Sequence, residues 1–243
     1  MDRFRSTLYL LFMWLTIPIA TSIFLLAYPV PYKYRSKLIS SWSRITLHVL
    51  SFICGLKFEI TGTENIPEKP CIIFCKHQST WETMALQLLF TPQVWILKRE
   101  LLWVPFFGWT LASMKSIAID RSSGKKALKK IVEQGTQRLD EGNWVVIFPE
   151  GTRKRPGEKP DYKIGGAMLA KKSGYNVLPI AHNAGEFWPK GQYVKKPGTI
   201  KMIIGPIINS NELSTKEINR AAEDWIESTL KGVYEKKYDN EAS

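Results

Sequence analysis

The chain is poor in cysteine and histidine, with three of each in 243 residues. Cys54, Cys71 and Cys75 are an odd, sparse set, which excludes a disulfide framework and points to a reducing compartment. Cys71 and Cys75 flank the apolar run CIIFC and read as small buried hydrophobes. A zinc site would need more Cys or His at close spacing. There is no internal repeat and no sustained heptad, so a solenoid or coiled coil is excluded. No G-x-S-x-G elbow and no H-E-x-x-H pair occurs, which removes two common hydrolase designs. Apolar residues are not scarce, at 44%, and that excludes disorder as the main state.

Acidic residues are short as well. Against 34 Lys and Arg stand 22 Asp and Glu, a formal net charge of +12. Such an excess suits an anionic partner: nucleic acid, a membrane surface or a phosphorylated substrate. Its distribution is uneven. Residues 1–60 carry +5, residues 61–120 are balanced, residues 121–201 carry +10 and residues 202–243 carry −3. A nucleic-acid binder would show a basic arm or a reading module, and none is visible. Aromatics are plentiful, with nine Trp, nine Tyr and eleven Phe, which favours boundaries between wet and apolar surroundings.

From Thr7 to Val30 there is no charged residue. As a helix that segment would be about 36 Å long, enough for a hydrocarbon core of about 30 Å. Pro18 falls near its middle, where it would kink a helix. Arg3 and Arg5 precede it, and Lys33, Arg35 and Lys37 follow it. It is too long for the apolar region of a cleaved secretory signal, which runs to about 15 residues. Leu38 to Phe52 predicts a second, largely apolar helix with a polar strip at Ser40, Ser43 and Arg44, ended by Gly55. It would pack back on the first segment or lie in the headgroup region. His48 reads as a passive residue of that helix. Residues 1–55 are therefore expected to anchor the chain to a membrane, spanning it or lying in its interface. The flanking charges give a weak vote for a cytoplasmic C-terminal side.

After Gly55 the pattern alternates. Strands are expected at Lys57–Thr61, Cys71–Cys75, Gln93–Leu97, Ser116–Ile119, Trp144–Phe148, Asn176–Ala181 and Thr199–Ile204. Helices are expected at Thr80–Leu89, Lys125–Leu139, Gly165–Lys172 and Ser214–Lys236. Leu101 to Met114 is apolar and aromatic, broken by Pro105 and Gly108. Ser214-Thr215-Lys216-Glu217 is a capping box. This predicts one α/β domain over residues 56–243: a single mixed, mostly parallel sheet flanked by helices, behind N-terminal membrane-associated helices.

Two loops carry chemistry, each directly after a buried strand, where α/β proteins build their sites. The first is Lys76-His77-Gln78-Ser79-Thr80-Trp81-Glu82. In a regular helix, five steps of about 100° would leave His77 and Glu82 roughly 140° apart. They meet only if His77 lies in the loop before the helix, with Ser79 or Thr80 as its cap. The carboxylate would then take the ring N–H, fix the tautomer and leave the other nitrogen as a general base. The spacing alone fits equally a surface His near an unrelated Glu. The second loop is Phe148-Pro149-Glu150-Gly151-Thr152-Arg153. Gly151 permits positive φ or close backbone approach, and Arg153 offers a fork suited to phosphate. A Gly-containing turn with solvated charges reads the same way.

HQSTWE at 77–82, the stretch from Lys98 to Arg121, FPEGTR at 148–153 and VLPI at 177–180 resemble, in order, the four blocks of the 1-acylglycerol-3-phosphate acyltransferases. The resemblance covers roughly residues 60–205. It implies that His77 and Glu82 are the catalytic pair and that Arg153 binds phosphate, with Glu150, Gly151 and Thr152 shaping its loop. It implies that Lys98 and Arg121 serve the acceptor's phosphate and glycerol, and that Pro179 lies on the acyl-donor side. The expected reaction moves an acyl group from acyl-CoA or acyl-carrier protein, as co-substrate, to the sn-2 hydroxyl of 1-acylglycerol 3-phosphate (lysophosphatidic acid). No cofactor, metal or nucleic acid is expected. The setting would be the cytoplasmic face of an anionic membrane, the inner one in a bacterium. Alternatives are another lysolipid acceptor, or a non-enzymatic basic membrane-binding protein. Two departures stand out: Glu82 replaces the usual Asp, and Ser113 to Lys115 stand where many members have Gly. His182 and Trp188 lie outside the shared blocks, and structural roles are expected for them.

Overall fold

The computed structural model describes residues 1–158 and 160–242, with side chains in the last helix described through Glu235. Two long helices come first, α1 (Asp2–Leu26) and α2 (Tyr32–Cys54). Then follow β1 (Leu56–Thr61), β2 (Ile72–Cys75), α3 (Trp81–Leu89), β3 (Gln93–Lys98) and α4 (Phe107–Ser113). The chain continues through β4 (Ile117–Ile119), α5 (Lys125–Asp140), β5 (Trp144–Ile147), α6 (Gly165–Ser173) and β6 (Val177–His182). It closes with the short α7 (Ala184–Phe187), β7 (Gly198–Ile204) and α8 (Thr215–Ala242).

The seven strands form one sheet in the order β1-β7-β6-β2-β5-β3-β4. Every neighbouring pair is parallel except β6 with β7. The mixed, mostly parallel sheet expected from the sequence is therefore present. Side chains alternate across it. Along β2, Ile72 and Phe74 join the apolar cluster with α5, α6 and α8, while Ile73 and Cys75 join the one with α2 and α3. Both faces are covered, which is why β2 and β5 are continuous apolar runs. All three cysteines are free and buried.

The site is positioned by one pairing. β2 and β5 lie side by side, with Phe74 opposite Ile147. Their following loops therefore leave the same edge together. β2 continues into α3, packed on one face, and β5 into α6, packed on the other. Diverging connections open a crevice at the C-terminal ends of adjacent parallel strands.

The N-terminal helices share the domain's core. Near the start of α1, Ser6 Oγ accepts from Lys195 N–H at 2.8 Å, and Tyr9 meets Trp188 edge-on. Near its end, the Thr21 and Thr110 hydroxyls bond at 2.8 Å, and Phe24 is buried. Pro18 lies inside the helix without ending it. The opposite side of α1 exposes Phe4, Leu11, Trp14, Leu15 and Ile23. Among the described residues α1 is the one helix long and apolar enough to cross a membrane. Gly55, at φ 65°, ends α2 as expected. Arg35 is not a surface charge. It is buried, donates to the Ser113 hydroxyl (2.6 Å) and carbonyl (2.7 Å), and lies over the Phe24 and Tyr28 rings. Ser113, one of the departures, thus fastens α2 to α4.

Candidate active site

The loop after β2 turns His77 away from the helix that follows, so the angular objection to a His77–Glu82 contact disappears. Glu82, in the first turn of α3, points back into the loop. Its Oε1 accepts from His77 Nδ1 at 2.8 Å, from Gln78 N–H at 3.0 Å and from Ser79 N–H at 2.9 Å. Ser79 N–H also reaches Oε2, at 3.1 Å. The carboxylate is fully buried. Burial acts to raise its pKa, but His182, the His77 bond and the Ser79 N–H outweigh it and hold Glu82 below the usual carboxylate range. An ionised Glu82 accepts from Nδ1–H, which leaves His77 Nε2 as the basic nitrogen. Nε2 has no hydrogen-bond partner among the described residues. The ring stacks on Phe148, with centroids 4.0 Å apart and planes within 18°.

Thr80 is the N-cap residue of α3 but makes no side-chain cap bond, and the Ser79 hydroxyl accepts from Trp81 N–H at 3.2 Å. The Thr80 hydroxyl is left to accept from Arg153, at 2.9 Å. That bond joins the two loops, as does the one from Lys154 N–H to the His77 carbonyl at 2.8 Å. Gly151 sits at φ +69°, where a side chain would be strained, and its turn faces the Arg121 guanidinium. Glu150 is buried, and its Oε1 accepts the His77 backbone N–H at 3.1 Å. Burial pushes the Glu150 carboxyl up, against the pull of Lys76.

Two cavities border this pair of loops. The first, about 320 Å³, is lined by Thr80, Thr83, Met84 and Arg153 and by apolar residues of α1, α2 and α4. The second, about 530 Å³, has Phe148–Thr152 and Arg121, Lys154 and Lys163 around an apolar floor of Ile96, Ile119, Leu128, Ile131 and Ile147. His77 adjoins both through its neighbours. Phe148, stacked on it, belongs to the second, and Thr80, three residues on, to the first.

The structure brings together His77, Glu82, Glu150, Thr80 and Arg153. It separates the other expected phosphate ligands. Arg121, Gly151 and Thr152 face the second cavity, not the one that holds Arg153. Lys98 is half-exposed, 3.5 Å from Glu100, and lines neither cavity. Pro179 is buried in β6 opposite Phe74 of β2 and lines neither cavity. His182 is fully buried. Its Nε2 donates to the Lys76 carbonyl at 2.7 Å, and its Nδ1 accepts from Ala184 N–H at 3.2 Å. With both nitrogens taken it has the structural role expected, yet Nε2 is also 3.9 Å from Glu82 Oε2. The sequence offers Thr80 only as a helix cap and gives Phe148 no role, although both lie inside the two motif loops.

The chain is similar to known proteins over most of its length. Residues 57–183 match the family model described as Acyltransferase. The chain is 46% identical over 223 residues to the 1-acyl-sn-glycerol-3-phosphate acyltransferase of Pseudomonas aeruginosa, covering 90% of this chain and 85% of that one. It is 30% identical over 177 residues to the protein of the same name from Borreliella burgdorferi, covering 72% and 70%. The crystal structure of the 1-acyl-sn-glycerophosphate acyltransferase from Thermotoga maritima shares the fold, with a TM-score of 0.80 at 23% identity, over 96% of this chain and 98% of that one.

Proposed function

The chain belongs to the acyltransferase family and is an acyltransferase, and from that premise we propose that it moves a fatty acyl group from an acyl thioester to the sn-2 hydroxyl of 1-acylglycerol 3-phosphate, giving phosphatidic acid. The observation that carries this reading is His77: Nδ1 bound to a buried, ionised Glu82, Nε2 open, and Arg153 of the adjoining loop bonded to Thr80, three residues beyond His77.

The acceptor's phosphate meets Arg153, and its chain lies in the first cavity, against α1, α2 and α4. The donor's acyl chain enters the second cavity, whose apolar floor and basic rim suit a greasy tail on an anionic carrier. His77 Nε2 takes the hydroxyl proton as the oxygen attacks the thioester carbon. The charge of Glu82 stabilises the imidazolium that forms. The tetrahedral intermediate collapses with rupture of the C–S bond, and the imidazolium returns the proton to the thiolate. No acyl-enzyme is required. The carrier is coenzyme A or a carrier protein.

The exposed apolar side of α1 faces the membrane, and the basic blocks favour an anionic, cytoplasmic surface. That α1 is fastened to the domain near both ends supports a position in the interface rather than across the bilayer. The test is a panel of acceptors and thioester donors on purified enzyme, with His77→Ala beside it. Phosphatidic acid formed by the wild type from lysophosphatidic acid in preference to other lysolipids is the expected result. Preference for a different lysolipid overturns the acceptor assignment.

A further inference from the structure

Behind the open face of His77 lies a second set of charges that the proton transfer does not use. Lys76 directly precedes His77, but its side chain turns inward and is almost fully buried. Its ammonium meets two carboxylates, Glu227 Oε1 of α8 at 2.6 Å and Glu150 Oε1 at 3.4 Å. The Tyr162 hydroxyl donates to the same Glu227 oxygen at 3.1 Å. Glu150 Oε1 is the atom that accepts the His77 backbone N–H. One ammonium thus sets the carboxylate that sets the backbone of the base. Seven residues along α8, the Tyr234 hydroxyl accepts from Gln78 Nε2 at 3.3 Å. A single face of α8 therefore touches the residues on both sides of His77.

Two features separate this from ordinary packing. A buried ion cluster is costly to desolvate, and apolar residues of the same shape serve stability as well or better. Here one lysine serves two carboxylates, and Glu150 Oε2 remains buried with no hydrogen-bond partner. On the Glu150 side both contacts therefore fall on one oxygen, the one that accepts the His77 N–H. Moreover, α8 lies wholly beyond the family match at residues 57–183. Its grip on the loop is not part of the motif pattern.

We propose that Lys76 is a positioning residue of the acyl transfer: through Glu150 it fixes the backbone of His77, and through Glu227 it makes helix α8 a working part of the active site. The proposal rests on His77 being the base, and its test keeps the two apart.

Purified Lys76→Met, Lys76→Arg, Glu227→Gln and the Lys76→Met/Glu227→Gln pair are compared for kcat, both KM values and amide hydrogen exchange at residues 77–79. Lys76→Met is expected to lower kcat by about 10–100-fold, the range for lost orienting partners, with both KM values within about twofold. Glu227→Gln should lower kcat less, and the pair should be no worse than Lys76→Met alone, since the two act on one atom. Lys76→Arg, which keeps the charge, should recover part of the loss. Exchange at 77–79 should quicken in Lys76→Met while remote strands keep their protection. If Lys76→Met does not fold, Lys76→Arg and Glu227→Gln carry the test through the same exchange and kcat readings. Wild-type kcat, multiplying effects in the pair, or a loss with unchanged exchange at 77–79 would overturn the proposal. If His77→Ala kept its turnover, the base assignment would fall, while the exchange data would still judge the tether.

Discussion

Two strand ends, those of β2 and β6, each aim a histidine at Glu82. His77 bonds one carboxylate oxygen and keeps one nitrogen open, with 17% of its side chain exposed. His182 stands 3.9 Å from the other oxygen, fully buried, with both nitrogens taken. Burial drives the His182 pKa down, despite the pull of Glu82. The residue type therefore does not separate the two. What separates them is the ring nitrogen the fold leaves unfilled on His77, which the proposed mechanism uses to take the proton. His182 spends its polar atoms on holding the loop that carries His77.

The contrast can be broken by substitution. His77→Ala should cost about 10²–10⁴ in kcat, measured on purified folded enzyme, as expected for a general base. Glu82→Gln comes next, at roughly 10²-fold in kcat. It removes the charge that stabilises the imidazolium and offers an amide that no longer dictates the tautomer. His182→Gln should lower kcat by under about tenfold. Its main effect should be on stability, about 1–3 kcal/mol by urea denaturation, because the Lys76 carbonyl or the Ala184 N–H loses its buried partner. If His182→Gln proved as inactive as His77→Ala while fully folded, the division of labour between the two histidines would be wrong.

The smallest effect sharpens the comparison by pH. In the unfolded chain His182 takes up a proton near its ordinary value of 6.5, whereas in the fold its pKa is lower. Below about 6.5 the unfolded state thus binds the extra proton first, and stability falls as pH drops toward the folded pKa. Glu82, also depressed, keeps its contribution above its ordinary value of 4.5 and loses it only at lower pH. Glu150 runs the other way, since its raised pKa favours the fold as pH falls. That contribution is common to wild type and variant. Between pH 7.5 and 5.5 the Tm of wild type should therefore decline more steeply than that of His182→Gln. Parallel curves would show that His182 is not held neutral.

Much of this was legible in the sequence. Continuous apolar runs located β2 and β5, and both motif loops follow them directly. The angular arithmetic required His77 to leave the helix, and it does. The Ser214–Glu217 box also forms, with Ser214 N–H to Glu217 Oε2 at 2.7 Å. Non-local facts were hidden. Nothing local makes β7 run antiparallel to β6 yet parallel to β1. Arg35 and Lys195 belong to the basic blocks that the sequence offers to an anionic partner, but both are buried. Lys195 Nζ lies 4.6 Å from the Trp188 ring and 5.3 Å from that of Tyr9. A cation over an aromatic face is a tertiary arrangement, and composition carries no sign of it. Lys76 is the same case, since its partner in α8 lies 151 residues away. Arg121 and Arg153, one set by resemblance, face different cavities, with Arg121 beside the Gly151 turn.

The two ends of α1 carry a last consequence. Ser6 and Tyr9 fasten one end to the loop around Lys195 and Trp188, and Thr21 and Phe24 fasten the other beside α4. The span between these anchors is about 27 Å at the rise of a helix. On the function proposed above, a domain so fastened would work at a membrane from one side only, and acceptor and product would belong to the same leaflet.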